Sequence, residues 1–229
     1  RSERNLGFAG GNNLGFAAAA GDYLLLLNND TEVITAAWLE EMVMYAQQDR
    51  VGCVGAKLLY PDNTIQHAGI GFGFLTLAAH MHKNFPVGHP GYMGRLVYTQ
   101  DVYAVTAACL MVRKDVYEQV NGLDESFAVA FNDVDFCVRV REAGYTNVFT
   151  PFAQLYHYES KSRGGDEKDP VKAARFAAEQ QRLYEVHGKE NILHDPYYNP
   201  NLTMDREDFS ESDDLRGLKE GRITVQWRE

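Results

Sequence analysis

Apolar and polar positions along the chain form blocks that predict an α/β fold. Five apolar residues, 23–27, end abruptly at Asn28-Asn29-Asp30. A short apolar run closed by polar turn residues is typical of a fully buried strand, most often the central strand of a parallel sheet. The same patterns predict strands over 51–59, 102–112 and 147–152, a strand or hairpin over 65–75, and helices over 12–20, 115–120 and 171–187. Thr35 is a plausible N-cap for a helix that carries Trp38 on its apolar face.

The segment after Phe131 fits two interpretations. Residues 132–143 have helical spacing, with Asn132 or Asp133 as the cap, but some apolar positions also alternate as in a strand. In a helix, Asp133 and Asp135 would lie at the N-terminus, where the dipole favours an ionised carboxylate. That position suits a general base at neutral pH. Plain helix capping explains the same residues.

Asp30 also has two interpretations. Ligands of open α/β sheets bind just outside the carboxyl ends of the strands, which would place Asp30 at a ligand crevice. Asn-Asn-Asp-Thr is equally a turn and the start of the next helix.

Composition narrows the functional classes. The 229 residues are 45% hydrophobic, which suffices for one α/β domain or a domain with an appendage. A formal net charge of -10 argues against general binding to nucleic acid. Cys53, Cys109 and Cys137 lie in apolar runs, so we expect reduced core residues and a cytosolic setting. No apolar run reaches membrane-spanning length.

Two further stretches contain candidate ligand-binding residues. Residues 5–15 are rich in glycine and asparagine, which permits close approach of the backbone to a ligand, but they match neither a Rossmann nor a Walker phosphate loop. His80, His82 and His89 lie among glycines and prolines. A metal site or a mobile loop that covers substrate would each explain them.

No strand precedes Arg1, so we expect a fragment of a longer chain.

Four ordered stretches together resemble family 2 glycosyltransferases, especially the rhamnosyltransferase-like enzymes of bacterial surface-polysaccharide synthesis. They are Asn-Leu-Gly-Phe-Ala-Gly-Gly-Asn-Asn from residue 5, Leu-Leu-Asn-Asn-Asp-Thr-Glu from residue 26, Phe-Asn-Asp-Val-Asp-Phe-Cys from residue 131, and His-Tyr-Glu-Ser-Lys-Ser-Arg-Gly from residue 157. The resemblance implies the GT-A fold, a mostly parallel sheet flanked by helices, here lacking its first strands. It also implies a catalytic domain over 1–204, followed by a tail or linker over 205–229.

The family's functional residues carry over to specific positions. The resemblance implies that Asp30 and His157 bind a divalent cation, Mn²⁺ or Mg²⁺, with Asn28 in place of the usual first acid of an Asp-x-Asp motif. It implies Asp133 as the base of an inverting transfer, with Asp135 at the helix start or at the acceptor hydroxyls. The remaining residues implied to bind the nucleotide sugar are Gly7, Phe8, Asn12, Asn28 and Arg163.

The implied partners are a nucleotide-sugar donor and a glycan or lipid-linked glycan acceptor. The resemblance implies a cytoplasmic enzyme, which can lie at the inner face of the membrane by peripheral association. A missing sheet edge would expose unpaired backbone, which predicts a homodimer. Two alternatives stay open: a nucleotidyltransferase on a similar sheet, and a non-catalytic module that binds glycans or scaffolds a larger synthase.

Overall fold

A computed structural model of the chain describes residues 3–74, 77–158, 169–206 and 208–212. Its helices are α1 Gly7–Ala18, α2 Trp38–Ala46, α3 Lys114–Gln119, α4 Asn132–Glu142, α5 Pro170–His187 and α6 Lys189–Leu193. Its strands are β1 Tyr23–Leu27, β2 Thr31–Val33, β3 Val51–Leu59, β4 Ile65–His67, β5 Ile70–Phe74, β6 Leu77–His80, β7 Gln100–Val102, β8 Cys109–Arg113 and β9 Thr146–His157. The chain thus contains both helices and strands, interspersed along the sequence, as the α/β prediction requires.

Seven strands form the main sheet, in the order β1-β8-β3-β9-β2, with β4 beside β3 and β7 beside β9. The long strands β3 and β9 are parallel, in a register that pairs Gly55 with Phe149. Strand β8 lies antiparallel between β1 and β3, so β1, β3 and β9 share one direction. The shorter strands β2, β4 and β7 pair antiparallel with their neighbours, and β5 and β6 form a separate hairpin.

The sheet is packed on both faces. One core includes the inner face of α4 and the β5–β6 hairpin, with Phe72, Phe136 and Phe149 fully buried. A smaller core on the other face packs Met42 of α2 against β3, β8 and β9. Every residue of β3 is buried, which explains why its sequence is an almost continuous apolar run.

Three local predictions prove wrong. Strand β1 is not a central, fully buried strand: it ends the strand order in the described sheet, and Tyr23 and Leu27 are exposed. Leu24 and Leu26 are buried in the larger core, whereas Leu25 is half-buried and packs against the smaller core on the other face. The apolar run 102–112 is two strands, since β7 pairs with β9 whereas β8 pairs with β1 and β3. The helix predicted over 12–20 is α1, which begins at Gly7.

Two predicted caps are also wrong, although both helices exist. Helix α2 starts after Ala37, and the Thr35 carbonyl, not its hydroxyl, accepts the Trp38 N–H. Helix α4 starts after Phe131, which adopts a left-handed conformation with φ 61°. The choice between helix and strand for residues 132–143 is therefore settled in favour of a helix.

The cysteines and the C-terminal segment complete the description. All three cysteines are free and buried, as predicted, and burial raises the pKa of the Cys109 thiol to about 12. Phe209 is buried and stacks on the His82 ring at 4.2 Å between centroids, so this part of the 205–229 segment packs on the domain. In the described part of the chain, no helix combines the length and apolarity needed to cross a membrane.

Candidate active site

The ends of β1 and β9 bring Asp30 and His157 together. Strand β2, which follows Asp30 directly, pairs with the end of β9 so that Thr31 lies opposite His157. The Tyr158 N–H donates to the Asp30 carbonyl at 2.9 Å, which extends the pairing by one residue. As a result, Asp30 Oδ1 lies 3.3 Å from His157 Nε2. The Asp30 side chain is 36% exposed and the His157 side chain only 8%, so the pair lies at the surface with the imidazole below the carboxylate.

Gln66 of β4 determines the tautomer of His157. The Gln66 amide Nε2 donates to the His157 backbone carbonyl at 3.3 Å, and Gln66 Oε1 lies 2.7 Å from His157 Nδ1. A carbonyl oxygen can only accept, so the amide orientation is defined and Oε1 must accept a proton from Nδ1. The neutral ring therefore carries its proton on Nδ1, and the Nε2 lone pair faces Asp30.

Asn28 completes this group. Its Nδ2 lies 3.1 Å from His157 Nε2 and donates to that lone pair. Its backbone N–H donates to the Ala108 carbonyl at 3.0 Å, and its own carbonyl accepts the Thr31 hydroxyl. The Asn-Asn-Asp-Thr sequence thus does form a turn, and the same turn presents two polar side chains to His157.

Asp133 lies in the first turn of α4 and contacts the same part of the sheet. Its Oδ2 accepts the Ala107 N–H at 3.1 Å and its Oδ1 accepts the Val134 N–H at 2.9 Å. Ala107 is adjacent to Ala108, the residue that binds Asn28. Asp133 is therefore connected to His157 through Ala107, Ala108 and Asn28, and the two alanines lie directly before β8.

The Asp135 carboxylate, by contrast, is buried between α4 and the end of α5. It is 1% exposed and binds Arg139 at 2.6 Å and His187 Nε2 at 2.9 Å. Burial lowers the pKa of His187, but hydrogen bonds to Asp135 and Glu142 outweigh it, so the net pKa lies above its ordinary value of 6.5. Asp135 thus holds α4 to the end of α5, and its side chain is not available to an acceptor hydroxyl.

A buried histidine pair lies beside the site. His67 Nε2 accepts the N–H groups of Gly69 and Thr106 at 3.3 and 3.4 Å, and His67 Nδ1 lies 2.9 Å from His80 Nδ1. Burial, followed by the proximity of His80 and His157, holds the pKa of His67 well below its ordinary value. His67 is therefore a neutral support for the segment that binds Asp133.

The predicted histidine cluster does not assemble as a metal site. His80 contacts His67, whereas His82 is buried against Phe209 and accepts the Tyr92 N–H. Within the described ranges, no three His, Cys, Asp or Glu side chains form a group that could hold a metal ion. His82 is also too deeply buried for the mobile surface loop that the glycines and prolines suggested.

The other predicted binding residues belong to α1 or fall outside the described residues. Gly7 and Phe8 begin α1, and the Asn12 side chain donates to the Phe8 carbonyl within that helix. Asn13 has the longer-range contacts, to Leu123 and the Tyr117 hydroxyl. Arg163 falls outside the described residues. The roles assigned to these four predicted residues stay predictions.

The donor set fits a hard or borderline divalent cation. Asp30 offers carboxylate oxygen, the neutral His157 ring offers its Nε2 lone pair, and Asn28 can offer its amide oxygen after rotation of the amide. Carboxylate, carbonyl and imidazole ligands suit Mn²⁺ and Mg²⁺. Among the described residues, Asp30 is the carboxylate that lies beside His157 Nε2.

Gln66 was not predicted from the sequence. It is a buried polar residue in a short strand, and the only signal was the Gln-His pair inside an otherwise apolar, glycine-dotted stretch. Ala107 was also missed, because its contribution is a backbone N–H and depends on the chain path.

Comparisons with known proteins identify the family. The family model "Glycosyl transferase family 2" matches residues 1–120. The O-antigen biosynthesis protein RfbC of Myxococcus xanthus is 38% identical over 194 residues, 84% of this chain and 15% of RfbC. The uncharacterized protein y4gI of Sinorhizobium fredii is 47% identical over 213 residues, 91% of this chain and 23% of y4gI. The chain thus spans less than a quarter of the length of these two relatives.

A third relative, the N-acetylglucosaminyl-diphospho-decaprenol L-rhamnosyltransferase of Mycobacterium tuberculosis, is 24% identical over 201 residues, 76% of this chain and 64% of the relative.

Two solved structures share the fold. The first is GalNAc-T7 with UDP, GalNAc and Mn²⁺, with a TM-score of 0.62 at 15% identity. The match covers 83% of this chain and 36% of the GalNAc-T7 chain. The second is the mannosyltransferase PcManGT of Pyrobaculum calidifontis with GDP-Man and Mn²⁺, with a TM-score of 0.52 at 13% identity. The match covers 81% of this chain and 44% of the PcManGT chain.

The fold is therefore GT-A, as the sequence predicted. The chain belongs to glycosyl transferase family 2.

Proposed function

We propose that the chain catalyses inverting, metal-dependent transfer of a sugar from a nucleotide-diphosphate donor to a hydroxyl of a glycan or lipid-linked glycan, in the cytoplasm, for synthesis of a bacterial surface polysaccharide. The observation that carries the proposal is the Asp30–His157 pair, with Asn28 beside it connected to Asp133 through Ala108 and Ala107. The relatives named for O-antigen synthesis and rhamnosyl transfer support the polysaccharide context.

Asp30 and His157 would hold the cation, with Asn28 beside them. A bound divalent cation acts as a Lewis acid that stabilises negative charge on the leaving diphosphate. Gln66 keeps His157 in the tautomer that can bind a metal. A hydrogen bond to the second ring nitrogen commonly fixes the tautomer of a metal-ligating histidine in this way. Two solved structures that share the fold contain Mn²⁺ with a nucleotide or nucleotide sugar, which favours this assignment.

Asp133 is the proposed base. Each of its oxygens accepts one backbone N–H and retains a further acceptor position for an incoming hydroxyl. In the transfer, the acceptor O–H gives its proton to Asp133 while its oxygen forms the new bond to the anomeric carbon. The bond from that carbon to the diphosphate oxygen breaks on the opposite face, which inverts the anomeric centre.

The test uses the full-length protein, Mn²⁺ and a panel of nucleotide sugars, with Asp133→Asn as the variant. General-base catalysis contributes about 10²- to 10⁴-fold, so we expect transfer to fall by that factor. Asp115→Asn is the matched control, because Asp115 also lies in the first turn of a helix and accepts the N–H of the next residue, yet it is exposed.

Full transfer activity in Asp133→Asn would refute the assignment of the base. Glycan binding that is independent of metal, without donor turnover by the wild type, would favour a binding module. Homodimer formation and attachment to the inner face of the membrane stay predictions, which sedimentation and vesicle flotation can test.

A further inference from the structure

Glu179, near the middle of α5, is a buried carboxylate that contacts backbone amides. It is 6% exposed. Its Oε1 accepts the N–H groups of Ala128 and Val129 at 3.0 and 3.2 Å, and its Oε2 accepts that of Ala130 at 2.7 Å. No lysine, arginine or histidine lies within ion-pair distance of Glu179 in the described part of the chain. The charge of this carboxylate is therefore compensated by three consecutive amide dipoles.

Consecutive backbone N–H groups form a concave anion site, and hydrogen bonds to a charged acceptor are about twice as strong as neutral ones. Here the anion is a side chain of the protein itself. Because one rigid carboxylate binds three successive N–H groups, it restricts the dihedral angles of the whole 128–130 segment. A neutral side chain of the same shape cannot do so, since an amide has only one accepting oxygen.

The 128–130 segment leads directly into the proposed base. Phe131 follows it in a left-handed conformation, which is uncommon for a bulky residue and requires its surroundings to hold it. The Asn132 side chain donates back to the Val129 carbonyl at 3.1 Å. Asp133 is next in the chain. The direction in which α4 begins, and hence the position of the Asp133 carboxylate, is set by this short segment.

Helix α5 reinforces the same segment at two more points. The Phe176 ring, one turn before Glu179, contacts the Phe131 ring at 5.0 Å between centroids. His187, at the end of α5, binds Asp135 in the first turn of α4. Helix α5 therefore holds the chain on both sides of Asp133 without contacting Asp133 itself.

We propose that Glu179 is a positioning residue for catalysis, which orients the Asp133 carboxylate toward the acceptor through the amides of residues 128–130. This inference rests on the proposed function, in which Asp133 is the base. The contacts that hold Asp30 and His157 do not involve Glu179, whose carboxylate binds the amides of residues 128–130. Loss of Glu179 should therefore impair the chemical step and leave donor binding intact.

The experiment compares Glu179→Gln with Glu185→Gln in the full-length protein. Glu185 lies on the same helix but is exposed, with its carboxylate bound to Gln181.

Four quantities are measured: kcat for transfer, KM for the donor, the affinity for UDP or GDP with Mn²⁺, and the rate of amide hydrogen exchange. Misplacement of a catalytic group by about 1 Å can cost about 100-fold, so we expect kcat to fall about 10- to 100-fold in Glu179→Gln. Exchange should accelerate at residues 128–130, whereas donor KM and nucleotide affinity should stay within about twofold. Glu185→Gln should match the wild type throughout.

A wild-type kcat in folded Glu179→Gln with faster exchange at 128–130 would overturn the positioning role and leave the proposed function in place. A parallel loss of nucleotide affinity and kcat would overturn it as well, because that pattern is expected of a merely structural residue. Should Glu179→Gln not fold, Glu179→Asp serves the same comparison, since it keeps the charge and shortens the reach. A wild type that binds donor and metal but transfers no sugar to any acceptor would instead refute the proposed function, and with it the catalytic role of Glu179.

Discussion

Replacement of Gln66 by leucine tests the metal assignment without altering either proposed ligand. The substitution removes the acceptor of the His157 Nδ1 proton at 2.7 Å and the donor to the His157 carbonyl at 3.3 Å. Without Gln66, the imidazole proton is free to move to Nε2, where Asp30 Oδ1 at 3.3 Å becomes its acceptor. The lone pair that would bind the cation is then occupied.

The expected loss can be estimated in two ways. Leaving a buried hydrogen-bonding group unsatisfied costs about 1–3 kcal/mol, and each 1.4 kcal/mol corresponds to about tenfold in affinity. Replacing a residue that hydrogen-bonds a metal-ligating histidine typically lowers the metal affinity about 10- to 100-fold. The two estimates agree, so we expect Gln66→Leu to bind Mn²⁺ about 10- to 100-fold more weakly.

The assay is calorimetric titration of Mn²⁺ into the full-length protein with saturating UDP or GDP. Gln154→Leu is the matched control, because Gln154 is another glutamine of the same sheet and, among the described residues, its side chain donates to the Pro151 carbonyl and not to His157. Near-UV circular dichroism establishes that both variants fold. Unchanged Mn²⁺ affinity in folded Gln66→Leu would refute the argument that Gln66 orients a metal-binding histidine.

Two further predictions concern stability. Because the pKa of His187 is raised in the folded protein, its ion pair with Asp135 stabilises the fold fully below pH 6.5 and less as the pH rises through the folded pKa. Thermal melting should therefore show the largest gap between the wild type and His187→Gln at low pH, and a constant gap would contradict the linkage. A Cβ at Gly52 would lie 2.1 Å from Val140 Cγ1, so denaturant unfolding should show that Gly52→Ala costs about 1–3 kcal/mol or more. Gly15→Ala, in the open part of α1, should instead stabilise by about 0.5–1 kcal/mol, and equal effects at the two sites would refute the packing argument.

The sequence predicted the parts of the site that lie at element boundaries. Asp30 follows an apolar run, Asp133 begins a helix, and the family resemblance related both to His157. The structure brings Asp30 and His157 within 3.3 Å of each other. The fold class was predictable for the same reason, since strands such as β3 are continuous apolar runs.

The supporting residues were not predictable from local patterns. Gln66 is 91 residues from His157, and Glu179 is 49 to 51 residues from the amides that it binds. Neither contact leaves a periodic signal, and backbone N–H donors such as that of Ala107 have no side-chain signature at all. The position of β1 depends on which strands pair with it, and hydropathy alone does not report pairing.

The link through Ala107 and Ala108 has a consequence for how this site can vary. The Cα atoms of consecutive residues are about 3.8 Å apart, so the Asn28 backbone and the Asp133 carboxylate are hydrogen-bonded to two residues that are fixed next to each other, directly before β8. The proposed base and the residue beside the proposed metal ligands are consequently anchored to the same short stretch of backbone. A change that moved one group away from the other would have to break one of these two backbone hydrogen bonds.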